Sequence, residues 1–327
     1  MSHTQSVRCM RVVMELPSYS KTCGGIRDNV LLAESFSPKM MLRFQHISNG
    51  YPNVDTEWSV GLPDETFPEC DVCITYSDTP YLDRLVSLPQ VGKVYILMLS
   101  YGMNLPVERR NIHNKKVTVL CSSKKLEQLI SNEGVRVHRL GLGLNMSPFS
   151  NINLDRKKYL AILFHDMLSK KYTTAVSVAD SLYNDKVIDG VIVFGNSSGF
   201  DKFKKPQGLV AFYPNATPDQ VNIVFNTCSC FLMPSISEGL SLTPIESALC
   251  GCPAVLCDGA IGETFIDKEN CFIAPRENKQ MMYSKCADVI RNFDTYSEKF
   301  MQKTQELTQD TSWSNVIKKL SDIICGI

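Results

Sequence analysis

The chain has 327 residues, more than one hydrophobic core usually supports, and Lys+Arg and Asp+Glu balance at 34 each. Two domains are therefore expected, and no overall charge draws the protein to nucleic acid or membrane. Hydrophobic residues are 44% and charged residues 21%, a soluble globular composition, and the 13 dispersed cysteines do not make a dense disulfide framework, so a reducing, cytoplasmic setting is expected.

The opening MSHTQSVRCMRVVMELP has no apolar core of signal-peptide length, and the longest apolar run, VYILML at 94–99, is too short to span a membrane. Short runs rich in Val, Ile and Leu follow one another between helical patterns: RVVMEL (11–16), MMLRFQHI (40–47), DVCITY (71–76), VYILML (94–99) and VTVLC (117–121). The series resumes with YLAILF (159–164), GVIVFG (190–195), LVAFY (209–213), CFLMP (230–234) and PAVLC (253–257). Continuous apolar strands alternating with helices imply parallel sheets covered on both faces, here in two successive sets.

Between the sets, residues 145–158 read NMSPFSNINLDRKK, polar and without periodicity, and this is the expected interdomain linker. The domains are accordingly 1–150 and 151–327, each a Rossmann-like α/β unit, the second carrying the terminal helices. Such a pair is expected to bind ligand at the carboxyl ends of its strands, in a cleft between domains. In the tail, Trp313, Val316, Ile317, Leu320, Ile323 and Ile324 recur at helical spacing and read as packing residues.

Two helix starts carry candidate chemistry. After the first strand, Gly24 and Gly25 permit a tight turn and close backbone approach before a helix face of Ile26, Val30, Leu31 and Ala33. An ordinary strand-to-helix turn has the same signature. The second start is EGLSLTPIESALCG at 238–251, where Pro244 suits the first helical position because its missing N–H would have no partner. The N–H groups of about Leu242 to Ile245 and the helix dipole form a phosphate cradle. Carboxylates beside such a cradle are better suited to accepting hydrogen bonds from neutral hydroxyls. Glu238 on the loop and Glu246 one turn into the helix would then hold hydroxyls at opposite ends of a diphosphate, the outline of a nucleotide sugar. Taken singly, a helix cap and a surface residue would also account for them.

The succession Pro234, Ser235, Glu238, Gly239, Leu242, Pro244, Glu246, Cys250, Gly251, Pro253, followed by GAIGETFIDKENCFIAP, resembles family 4 of the retaining GT-B glycosyltransferases, the group-1 family with an acid-x7-acid signature. CGGIRDNVLLAESF, LGLGLNMSPF and TSWSNVIKKLSDII resemble collinear segments of the same family more weakly. The resemblance implies a GT-B fold and retaining transfer of a hexose or pentose from a UDP- or GDP-linked donor to an acceptor hydroxyl, with no metal or other cofactor. It implies that Glu238 contacts the donor sugar, that Glu246 holds the ribose, and that Gly239, Ser241, Leu242 and Thr243 surround the diphosphate, with Gly24 and Gly25 approaching from the first domain. Lys171 falls at the family's phosphate-neutralising lysine and Lys170 is adjacent, whereas Asp166 stands where an arginine is usual. The first domain also lacks the histidine common near the reacting sugar. Asp78, Ser100 and Tyr101 are the polar groups at the corresponding strand ends, where plain loop-capping roles are equally open.

The five histidines, including His165, have no metal-ligand spacing, and Cys70/Cys73, Cys228/Cys230 and Cys250/Cys252 are pairs without second halves. GLGLN lacks both the P-loop lysine and a dinucleotide fingerprint. From 109 to 139, Arg109, Arg110, Lys115, Lys116, Lys124, Lys125, Arg136 and Arg139 stand against Glu127 and Glu133, a solvated helix face or a patch for an anionic acceptor. Compatible acceptors include a glycan and a hydroxymethylated DNA base. The alternative from another class is a non-catalytic nucleotide-sugar or nucleic-acid binding protein that keeps the fold.

Overall fold

The structure, a computed structural model, describes residues 10–19, 24–36, 40–47, 56–61, 67–99, 104–141, 143–144, 146–197, 199–236, 238, 241–258, 264–309 and 311–326. Two compact units result, Met1–Gly143 with Trp313–Ile327, and Leu144–Ser312.

The first unit contains β1 (Val12–Tyr19), α1 (Gly24–Ser35), β2 (Met41–Ile47), β3 (Trp58–Val60), β4 (Cys70–Tyr76), α2 (Leu82–Leu85), β5 (Val91–Met98), α3 (Leu105–Ile112), β6 (Val117–Cys121), α4 (Lys124–Asn132) and β7 (Val137–Arg139). Every pairing is parallel, in the order β3-β2-β1-β4-β5-β6-β7. Alternate strand residues divide between the faces. Met14, Leu16, Ile74 and Leu97 pack with Leu32 and Ala33 of α1, while Val13, Cys73, Ile96 and Val119 pack with Leu85, Ile112 and Ile130 of α2, α3 and α4. Burial on both faces explains why these strands read as unbroken apolar runs.

The second unit contains β8 (Lys157–Phe164), α5 (Tyr172–Asn184), β9 (Gly190–Gly195), β10 (Leu209–Pro214), α6 (Pro218–Thr227), β11 (Cys228–Met233), α7 (Leu242–Leu249), β12 (Ala254–Cys257), β13 (Phe272–Ala274), α8 (Lys279–Arg291) and α9 (Phe293–Thr308). Its parallel order is β10-β9-β8-β11-β12-β13, so the direction of winding reverses between β8 and β11. Leu160, Ile162 and Leu232 face α5 and α8; Ala161, Phe231 and Met233 face α6 and α7. Each such large side chain, fully buried, contributes about 1.5–3 kcal/mol. Helix α6 begins with a capping box in which Thr217 Oγ1 accepts from the Gln220 N–H and the Gln220 side chain accepts from the Thr217 N–H.

Two sequence expectations are corrected. The tail helix α10 (Trp313–Cys325) belongs to the first unit: Val316, Leu320 and Ile324 share a core with Met14, Leu42 and Leu97. A Cβ on Gly143 would lie 2.1 Å from the Trp313 ring, so the chain leaves the first unit and returns to it through a contact only glycine permits. The polar stretch placed as a linker is not a free tether, because most of it is built into the second unit. Asn226 accepts from the Ile152 N–H at 2.9 Å and donates to Ser150 O at 2.9 Å. The Arg156 guanidinium donates to Phe225 O (2.6 Å), Cys228 O (2.9 Å) and Cys250 O. Buried side chains, invisible in a polar string, satisfy its backbone. The three-residue strands β3, β7 and β13 are also additions to the sequence series, too short to show a run. The described cysteines are free thiols, all buried except Cys325.

Candidate active site

Strands β8 and β11 are neighbours at the winding reversal of the second sheet, where open α/β folds bind ligands beyond the carboxyl ends of their strands. After β8 the chain runs from His165 through a single 3-10 turn, Leu168–Lys170, to Lys171, whose φ of 50° is left-handed, and then into α5. After β11 it passes Pro234, Ser235, Ile236 and Glu238 to Ser241, also left-handed at φ 58°, which precedes α7. The two loops are tied together: the Ile236 N–H donates to Ser169 O at 2.9 Å, and Lys170 Nζ donates to Glu238 Oε1 at 2.6 Å.

This places the charges differently from the motif count. Lys170 touches Glu238, the proposed sugar-contacting acid, and both side chains are largely covered, 21% and 12% exposed. Lys171 turns instead to Glu277, at 3.0 Å, on an exposed loop after β13. Asp166 Oδ1 lies 3.0 Å from His165 Nδ1, which also accepts from the Met167 N–H at 3.1 Å. Burial and then the Lys170 charge hold the His165 ring below its ordinary pKa, against the opposing pull of Asp166 and Glu238.

Leu242 and Thr243 are the first two residues of α7 and Pro244 is the third, not the first. The proline still falls where an N–H has no intrahelical partner, so its effect on the chain is the one expected. With Ser241 as N-cap, the amides of Leu242 and Thr243 are among those that an α-helix leaves unpaired within itself, whereas the Ile245 N–H is the first placed to donate along the helix. Glu246 follows one turn in and is half-buried. The far end of α7 is fixed: Ser247 Oγ donates to Cys252 O at 2.6 Å, and Arg156 holds Cys250 O. The Ser235 hydroxyl, fully buried just before Glu238, has no hydrogen-bond partner among the described residues.

The other expected residues sit as follows. Gly24 and Gly25 are the first two residues of α1, the next described element after β1, in the first unit. Asp78 is half-buried in the turn after β4; Asn111 Nδ2 pins that turn by donating to Ser77 O at 2.9 Å and Thr79 O at 2.8 Å. Ser100, Tyr101 and Gly239 lie outside the described residues. In the basic segment, Arg109 pairs with Glu133 at 2.8 Å and Arg139 with Glu127 at 3.7 Å, so two of its charges are internally matched. Among the described residues no three His, Cys, Asp or Glu side chains converge as metal ligands. Also among them, no helix is long and apolar enough to cross a membrane. Sequence reasoning missed His165. Its signal was its place as the first residue after β8, beside the anomalous Asp166.

Residues 183–292 match the family model of the Glycosyl transferases group 1. The match takes in β9 to α8, including both acids of the candidate site. Over 100 residues, the chain is 26% identical to an uncharacterised glycosyltransferase of Methanocaldococcus jannaschii, an overlap of 30% of this chain and 28% of that protein's length. Among solved structures, HepE of Anabaena in complex with UDP-glucose superposes with a TM-score of 0.81 at 12% identity, over 97% of this chain and all of that one (100%). Sucrose-phosphate synthase of Thermosynechococcus elongatus gives 0.80 at 11% identity, over 97% of this chain and 98% of that one. TarM of S. aureus is matched over 77% of this chain but only 55% of its own, with a TM-score of 0.66 and 16% identity. The likenesses at these identities establish the fold: two parallel α/β units of the GT-B type. The group 1 match itself is confined to residues 183–292, within the second unit.

Proposed function

We propose that the chain is a retaining glycosyltransferase that moves a hexose or pentose from a nucleoside diphosphate to an acceptor hydroxyl. The observation that carries this reading is the joining of the β8 and β11 loops by Lys170 and Glu238 at the winding reversal, beside the N-terminal amides of α7. It sets a cation, a helix N-terminus and two carboxylates, Glu238 and Glu246, along the span of a sugar diphosphate. The solved HepE complex holds UDP-glucose, which favours a UDP-linked donor here.

In this reading Glu246 accepts from ribose hydroxyls, Glu238 orients the sugar, and the α7 amides with Lys170 hold the diphosphate, assisted by Lys171. As the bond between the anomeric carbon and the β-phosphate oxygen breaks, negative charge accumulates on that oxygen, where preorganised N–H donors and an ammonium act most strongly. The acceptor oxygen bonds to the anomeric carbon on the face the phosphate leaves, and its proton passes to the departing phosphate. No protein nucleophile enters, and charge neutralisation is assigned to protein groups rather than to a metal. Asp78 is the described residue we assign to the acceptor side. The acceptor itself is a glycan or another hydroxyl-bearing molecule.

A thermal-shift screen of UDP-, GDP- and ADP-sugars tests the reading. A bound donor at 100 times Kd adds about 2.7 kcal/mol of apparent stability. No shift with any donor sinks the assignment. Donor binding without hydrolysis or transfer to any glycan or hydroxymethylated DNA identifies a non-catalytic binding protein instead.

A further inference from the structure

We infer that His165 is a donor-contacting residue, giving its Nε2–H to a diphosphate oxygen, and that diphosphate binding draws a second proton onto its ring. The inference rests on the donor-site reading above. His165 is the first residue beyond β8, with its side chain 33% exposed beside the Lys170–Glu238 pair. A neutral ring that accepts from the Met167 N–H at Nδ1 carries its proton on Nε2. Among the described residues Nε2 has no hydrogen-bond partner, so a donor is left over at the strand end.

Facing the ring are Asp166 from its own loop, Lys170 from the 3-10 turn and Glu238 from the β11 loop, while Lys171 is turned away to Glu277. With the ring neutral these three groups sum to one negative charge, an unfavourable setting for a diphosphate. A proton on His165 cancels it. A proton on Nδ1 would face the Asp166 carboxylate, whose Oδ1 lies 3.0 Å away. The charged ring exchanges the Met167 N–H for Asp166 on one side and offers Nε2–H to phosphate on the other.

The test is calorimetry with UDP-glucose, or the GDP- or ADP-sugar returned by the screen, in buffers of different ionisation enthalpy. The diphosphate diester of these donors does not itself titrate between pH 6 and 8, so proton uptake reports on the protein. Wild type is expected to take up about 0.5–1 proton at pH 7.5 and to bind up to about tenfold more tightly at pH 6. His165→Gln keeps an N–H near the Nε2 position; it should bind with no uptake and a flat pH profile, and Asp166→Asn should reduce the uptake. His165→Ala should weaken binding about tenfold. A residue of purely structural role would change the melting temperature and leave proton uptake unmoved. Donor binding by wild type without uptake, or uptake that survives in His165→Gln, overturns the inference and leaves the donor site standing. Failure to bind any donor overturns both.

Discussion

Lys170 Nζ lies 2.6 Å from Glu238 Oε1, joining positions 68 residues apart in a pair whose side chains are 21% and 12% exposed. The ammonium that a diphosphate would need is thus engaged by a carboxylate before any ligand arrives. Binding must share or displace that contact, and a carboxylate close to phosphate opposes it by like charge. Glu238→Gln should therefore tighten binding of UDP alone by about three- to tenfold, while sugar transfer falls by about a hundredfold or more because the sugar loses its orienting acceptor. Titration calorimetry and initial rates separate the two effects. Weaker UDP binding in this variant would contradict the competition.

The two adjacent lysines should behave differently. Lys170→Ala removes a charge-assisted contact at the site and should weaken donor binding by about 10- to 100-fold. Lys171→Ala, whose partner Glu277 is exposed, should cost about threefold or less. Lys171 also occupies a left-handed backbone position with φ 50°, so Lys171→Gly should raise stability by about 1 kcal/mol in urea unfolding. Equal losses of affinity from the two alanine variants would return Lys171 to the role its motif position suggests.

That pair marks the boundary of what the sequence discloses. The strand series, the α7 start and the acid spacing are local patterns, and the strands and α7 are found where the residues imply them, with boundaries up to three residues different. Which lysine meets Glu238 depends on a 3-10 turn followed by one left-handed residue, which rotates consecutive side chains apart and leaves no mark in residue type. The terminal helix shows a similar limit. Val316, Leu320 and Ile324 declare an apolar face, yet the same periodicity fits the core of either unit, and only the fold assigns it to the first. His165 leaves no such mark, because metal-ligand spacing concerns several side chains together and says nothing about a lone ring at a strand end.

Arg156 anchors the ends of three elements at once. Its guanidinium donates to Phe225 O at 2.6 Å, Cys228 O at 2.9 Å and Cys250 O, and lies 5.1 Å from the centre of the Phe293 ring. Arg156→Met should destabilise the protein by about 2–4 kcal/mol, since it leaves several covered carbonyls without donors. Arg156→Lys should recover only a minor part, because an ammonium cannot reproduce the planar fork. Since Cys250 closes α7, donor affinity should fall alongside stability. Urea unfolding of the full chain with and without donor reads both, and a fully stable Arg156→Lys variant would show that the fork geometry is unimportant.

Glu15 predicts the direction of a pH effect. It is fully buried on β1, accepts from Thr75 Oγ1 at 3.0 Å, and stands opposite the buried Arg43 of β2 in the sheet register. Burial raises its pKa, and the hydrogen bond from Thr75, the nearby Gln45 amide and the Arg43 charge only partly offset this. A carboxyl group with a folded pKa above its unfolded value binds its proton more tightly when folded. Its stabilising contribution is therefore complete below the ordinary carboxyl range, about pH 4, and is lost as pH rises through the folded pKa. Glu15→Gln imitates the protonated group at every pH, keeps an acceptor for Thr75, and removes this loss. Relative to wild type, the variant should gain stability as pH rises above about 4, and the gain should level off once Glu15 is ionised in the folded protein. Urea midpoints measured between about pH 4 and 8 check the sign. A difference that shrinks with rising pH would mean that Arg43 and the hydrogen bonds outweigh burial, holding Glu15 as a carboxylate in the fold.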